Sequence, residues 1–163
     1  MTIRVLAIAS SGGHWVQLQR IRPAWEGCDV AYVTTDKGAR DFIIQDARDR
    51  SLVELRCYTV CSANRWQKVR LVRQLLRITM ILFQERPDVI ISTGAAPGFF
   101  ALRIGKLLGA RTIWIDSIAN AETLSLSGKK AGSCADLWLT QWEHLKGSED
   151  PERGLPVFKG AVL

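Results

Sequence analysis

The chain has 163 residues, 47% of them hydrophobic and 23% charged, and a formal net charge of +6. That length closes one well-buried core and excludes two ordinary domains, so a single domain over 1–163 is expected. The charge favours an anionic partner, while the four cysteines form neither a C-x-x-C pair nor a metal-ligand cluster with His14 or His144, which argues against a zinc site and for reduced thiols.

Short apolar or β-branched runs at 3–9, 28–34, 52–58, 88–92, 111–116 and 135–140 predict strands, with a last one near 155–159. Helical patterns near 14–25, 39–48, 65–85, 97–108 and 120–131 separate them. Such alternation requires a parallel sheet covered on both faces, and right-handed crossovers make it a Rossmann-like, doubly wound α/β fold. The turn-rich stretch 146–152 predicts a surface loop. No run reaches the roughly eighteen apolar residues needed to cross a bilayer, and no charged-then-apolar leader opens the chain.

Ligands of open sheets gather beyond the carboxyl ends of the strands. Here the first strand runs into Ser11-Gly12-Gly13-His14, a small-residue turn ahead of a helix, which suits a phosphate held by backbone N–H groups beside a group that titrates near neutral pH. The fourth strand ends in a second such turn, Ser92-Thr93-Gly94-Ala95, with Pro97 near the start of the next helix. Neither turn matches G-x-G-x-x-G, although Asp36 keeps a ribose-binding reading open, and no Walker A loop is present. No cofactor is therefore expected.

On a helical wheel for 65–84, Arg70, Arg73 and Arg77 fall on one side with Trp66, opposite a broad apolar arc. This suits a helix lying at a lipid headgroup layer, and equally a long core helix with a solvated basic side. Nucleic acid is the rival partner for the charge, but no recognition-helix or RNA-binding motif appears, and none is expected.

The set Ser11–His14, Ile91-Ser92-Thr93-Gly94-Ala95, Trp114-Ile115-Asp116-Ser117-Ile118-Ala119 with Thr123–Gly128, and Ala135-Asp136-Leu137 with Thr140-Gln141-Trp142 resembles a known family. It is similar to the membrane-anchor subunit of the split N-acetylglucosaminyltransferase of N-glycan assembly and to its bacterial capsule and exopolysaccharide counterparts. The resemblance covers nearly the whole chain. It implies the acceptor-side, N-terminal half of a GT-B glycosyltransferase, the half that in the single-chain peptidoglycan lipid-intermediate transferase carries a similar glycine turn ending in histidine.

By that likeness His14 is the base that deprotonates the acceptor hydroxyl, with Asp116 orienting it or a sugar hydroxyl. Ser11, Gly12, Gly13, Thr93, Gly94 and Ser117 face a polyprenyl-diphosphate-linked saccharide. Trp142 meets the sugar or the partner, and sugar stacking by Trp15 competes with packing, which is expected for Trp114 and Trp138. The resemblance also implies that a UDP-sugar is bound by a separate donor-binding subunit, without which this chain is inactive. Asp116 stands where eukaryotic members commonly have Glu, and their amino-terminal anchor is missing, which fits a bacterial member held peripherally at the cytoplasmic face of the inner membrane through Trp66, Arg70, Arg73 and Arg77. Two other readings are a non-catalytic scaffold that recruits the catalytic subunit, and a free-standing nucleotide-binding Rossmann protein.

Overall fold

The structure, a computed structural model, describes residues 2–49, 56–64, 66–147 and 155–162. Seven strands form one sheet in the order β3-β2-β1-β4-β5-β6-β7, and every neighbouring pair is parallel. They are β1 (Arg4–Ala9), β2 (Asp29–Thr34), β3 (Arg56–Thr59), β4 (Val89–Gly94), β5 (Arg111–Ile115), β6 (Leu137–Thr140) and β7 (Val157–Phe158). The helices are α1 (Gly13–Arg20), α2 (Ala39–Asp49), α3 (Lys68–Glu85), α4 (Ala95–Leu107) and α5 (Leu126–Ala131). The chain moves outward through β2 and β3 and then returns to place β4 beside β1. Loops on either side of that reversal part from one another, so the crevice of such a sheet opens between the carboxyl ends of β1 and β4.

Alternation along β1 divides the core. Leu6 and Ile8 point to the face covered by Ile78, Ile81 and Leu82 of α3 and Leu102 of α4, whereas Val5, Ala7 and Ala9 join Trp15 and Leu18 of α1 and Ile43 of α2. Each fully buried aliphatic side chain contributes roughly 1.5–3 kcal/mol relative to exposure. At Gly98 and Gly105 a β-carbon would collide with Ser92 and Ile90, so both glycines let α4 lie directly on β4. Burial also pushes the Cys57 thiol up to about 11, which leaves it an inert packing group.

Three expectations are corrected in detail. The helix expected over 14–25 ends at Arg20, and Pro23 sits instead in a 3-10 turn, Arg22–Trp25, because proline supplies no N–H for a continuing α-helix. The helix expected over 120–131 begins only at Leu126, where Ser125 caps it by accepting from Gly128 N–H. The helix expected from 65 begins at Lys68. The expected strand residues 52–55 and loop residues 148–152 lie outside the described residues.

The structure also redraws the arc of α3. Ile78, Ile81 and Leu82 are buried, but Val69, Val72, Leu76, Met80 and Phe83 form a second, exposed apolar stripe, and Arg70, Arg73 and Arg77 lie between the two. Among the described residues no helix is long and apolar enough to cross a membrane.

Candidate functional site

The two small-residue turns meet at the reversal between β1 and β4. Gly12, at φ +76, turns the chain from β1 into α1 through backbone space that other residues rarely occupy. His14, the second residue of α1, is half-buried, and its Nδ1 lies 2.9 Å from the carbonyl oxygen of Thr93 at the end of β4. The Thr93 hydroxyl answers by donating to the His14 carbonyl at 2.6 Å. A carbonyl only accepts, so this contact puts the ring proton on Nδ1 and leaves the lone pair on Nε2.

Gly94 follows at φ +145, and a β-carbon there would fall inside the contact distance of the His14 ring. Ala95 then takes φ +65, a left-handed conformation seldom adopted by a residue with a side chain. Ala95 directly follows Gly94, the residue that lies against the imidazole, and strained backbone of this kind clusters at functional sites.

The first turn of α1 presents N–H groups with no carbonyl a turn earlier to receive them, a seat for an anionic oxygen. Ser11 does not contribute its N–H to that seat, because it donates to the Thr35 hydroxyl at 2.8 Å, and Thr35 in turn donates to Ser11 Oγ at 3.3 Å. The open donors therefore begin after Ser11, at Gly12, Gly13 and His14.

Asp116 is only 2% exposed, and its carboxylate is occupied. Oδ1 accepts from Ser125 Oγ at 2.6 Å and Trp114 Nε1 at 3.2 Å; Oδ2 accepts from Ser125 N at 2.9 Å and Asn120 Nδ2 at 3.5 Å. Asp116 thus closes the 117–125 loop on itself. Among the described residues no hydrogen bond joins it to His14, whose ring is oriented by the Thr93 carbonyl alone.

Ser117 is buried too, with Oγ accepting from Gln17 Nε2 at 3.2 Å. Trp142 donates Nε1 to the carbonyl of Ile118 at 2.8 Å, and His144 Nε2 lies 2.6 Å from that of Ala121, so the two rings grip the same loop. Trp15 is buried edge-on against Tyr32, with ring centroids 5.9 Å apart, which places it in the core. Trp114 is fully buried, and Trp138 packs against the same core cluster. Trp66 stands 77% exposed just before α3, the helix that also carries Arg70, Arg73 and Arg77, and among the described residues no hydrogen bond joins these three arginines to the residues of the crevice. No group of three metal-ligating side chains occurs among the described residues.

Two buried residues were given no role from sequence, Gln17 and Gln141, the second lying within the Thr140-Gln141-Trp142 motif. Gln141 Nε2 donates to Gln17 Oε1 and to the Asp116 carbonyl, both at 2.9 Å, and its Oε1 accepts from Val162 N at 2.8 Å. The pair joins α1, the 117–125 loop and the last described residues. Gln17 follows His14 by three positions on α1 and so lies one turn along the same face, the one signal that points to it.

The model of the family described as oligosaccharide biosynthesis protein Alg14 like matches residues 5–153. The UDP-N-acetylglucosamine transferase subunits ALG14 of Mus musculus and Homo sapiens are 24% and 26% identical to this chain, each match covering 89% of it and 78% of the relative. The crystal structure of Acinetobacter baumannii MurG superposes with a TM-score of 0.72 at 12% identity, over 96% of this chain and 45% of that one. The chain thus spans less than half of that solved structure, and its Rossmann-like sheet is that of an N-terminal GT-B half.

Proposed function

The chain belongs to the Alg14-like family of oligosaccharide biosynthesis, and from that premise we propose that it is the acceptor-side subunit of a two-component inverting glycosyltransferase. One observation carries the catalytic part, the Nδ1 contact of His14 with Thr93, which reserves Nε2 for a proton. The donor sugar nucleotide is held by a separate subunit. A hydroxyl of the acceptor saccharide attacks the anomeric carbon, the carbon–oxygen bond to UDP breaks with its electron pair leaving on the diphosphate, and the hydroxyl proton passes to Nε2. A positioned base of this kind supplies about 10²–10⁴-fold in rate.

The acceptor is a saccharide on a polyprenyl diphosphate, with the diphosphate at the first-turn N–H groups of α1 beside Gly12 and Gly13. The setting is bacterial polysaccharide synthesis, capsule or exopolysaccharide, at the cytoplasmic face of the inner membrane. Attachment is peripheral, through Trp66, the arginines 70, 73 and 77 and the exposed apolar stripe of α3, where each cation near an anionic leaflet adds about 1 kcal/mol.

The test is His14→Ala in the reconstituted pair, which is expected to lower turnover at least about a hundredfold while the complex still forms. Near-normal turnover would instead favour a scaffold that recruits acceptor and membrane to a partner doing all the chemistry. One observation supports that second reading: the imidazole has a neutral carbonyl as its partner and, among the described residues, no carboxylate bonded to it to stabilise its charged form.

A further inference from the structure

At the opposite end of the sheet from His14, the starts of β1, β4 and β5 and the ends of α3 and α4 surround a cavity of 670 Å³. Leu82, Val89 and Ala110 give it an apolar lining, and the exposed side chains of Ile3, Phe83 and Leu108 border it. Three arginines also line it. Arg4 is committed to Asp88, through Nη2 at 2.9 Å, Nε at 3.2 Å and its backbone N–H at 2.9 Å, which neutralises that carboxylate. Arg86 and Arg111 have no hydrogen bond or ion pair to their guanidinium groups among the described residues, so the cavity carries two uncompensated positive charges on an apolar lining.

Arg86 also ends α3 in the left-handed conformation, φ 45 and ψ 57, a position where glycine or asparagine is the unstrained choice. Phe83 belongs both to this cavity and to the exposed stripe of α3, so the two surfaces are continuous.

A ligand that fits this chemistry has an anionic head for the two guanidinium groups and hydrocarbon for Phe83, Leu108 and Ile3. Free phosphate would leave the apolar part wet, and a neutral lipid would leave the cations unanswered. We infer that the cavity seats the phosphate of an anionic membrane phospholipid, with its acyl chains along the end of the α3 stripe. This rests on the reading of α3 as the membrane-facing helix and adds to it a defined headgroup site, remote from the crevice.

The test is flotation of the full chain with vesicles of phosphatidylcholine alone or with phosphatidylglycerol added. The unaltered chain is expected to float with the anionic vesicles. Arg86→Gln with Arg111→Gln is expected to weaken that binding more than tenfold, whereas Arg86→Lys with Arg111→Lys, which keeps the charge, retains most of it. Turnover on a short, detergent-soluble acceptor stays unchanged in all of them, which also reports that they fold. Equal flotation of the glutamine variant and the unaltered chain overturns the headgroup site and leaves the membrane reading standing, and failure of the unaltered chain to float overturns both. If inorganic phosphate at modest concentration displaces the chain from vesicles and binds it equally well without them, the lipid assignment is overturned in favour of a soluble anion.

Discussion

A β-carbon on Gly94 and the imidazole of His14 would occupy the same space, the ring atoms Nδ1 and Cε1 being the nearest to it. Gly94→Ala therefore has to turn the ring away from the Thr93 carbonyl or distort a backbone already at φ +145. Turnover of the reconstituted pair is expected to fall on the order of a hundredfold, the usual cost of misplacing a reacting group by about an ångström. Gly27→Ala is the control, since Gly27 has φ +80 but nothing within 4 Å of its added carbon. It is expected to lose about 1–2 kcal/mol in urea denaturation and no turnover.

Asp116 and Ser125 make a comparable pair inside the 117–125 loop. An asparagine at 116 keeps one acceptor oxygen and turns an NH2 group toward donors now satisfied by a carboxylate, so Asp116→Asn is expected to cost about 1–3 kcal/mol. Ser125→Ala removes both the cap of α5 and one bond to Asp116, about 1 kcal/mol. The double variant should lose less than the sum of the two, because both changes break the same contact. Well below the melting transition, Asp116→Asn keeps turnover within about tenfold of the unaltered pair. A loss as large as that of His14→Ala would restore this carboxylate to the proton transfer.

The β/α alternation and the two small-residue turns were legible because period-2 and period-3.6 patterns and glycine turns are local. Proximity of His14 to Thr93, 79 positions apart, is not local; it follows from β4 pairing with β1, which no local pattern specifies. The enclosure of Asp116 was not legible, because an acidic residue at a strand exit reads alike whether it faces solvent or is surrounded by four donors. Gln17 and Gln141 lie 124 positions apart; Gln17 belongs to no motif, and Gln141, although inside Thr140-Gln141-Trp142, has a partner that no local pattern names. The exposed half of the α3 arc was hidden for a different reason: a helical wheel separates apolar from polar residues but not the apolar face that a sheet covers from the one it leaves bare.

Acid stability should show the Arg4–Asp88 pair. The hydrogen bonds from the Arg4 guanidinium and backbone N–H hold the Asp88 carboxyl at about 2, below its ordinary 3.8. With the folded value the lower one, the pair's contribution is fully present above 3.8 and is lost as pH falls through about 2. Thermal melts between pH 5 and about 2 should therefore decline less steeply for Asp88→Asn than for the unaltered chain. At the alkaline end, burial and the hydrogen bond to Glu85 push Tyr58 up to about 12 from 10.0, so stability should fall across that interval as the unfolded phenol ionises first. Tyr58→Phe should remove that fall, and an alkaline slope unchanged in Tyr58→Phe would assign it elsewhere.

The Gln17–Gln141 pair makes an asymmetric prediction, because its two amides have opposite duties. Gln17 Oε1 accepts from Gln141 Nε2 and, at 3.4 Å, from Ile118 N; a glutamate there keeps both bonds, and the Ser117 hydroxyl can turn from acceptor to donor toward the second oxygen. Charge-assisted bonds then offset much of the burial, and Gln17→Glu is expected to cost about 1 kcal/mol. Gln141 instead aims its NH2 at two acceptors, Gln17 Oε1 and the Asp116 carbonyl. A carboxylate in that position faces oxygen on both sides with no donor, so Gln141→Glu is expected to cost about 3 kcal/mol or more and to free the last described residues held through Val162. Urea denaturation of the two single variants separates the cases: costs that match, or that rank the other way, would mean that the amides run in the reverse direction and that the chain's end is not tied to α1 through Gln141.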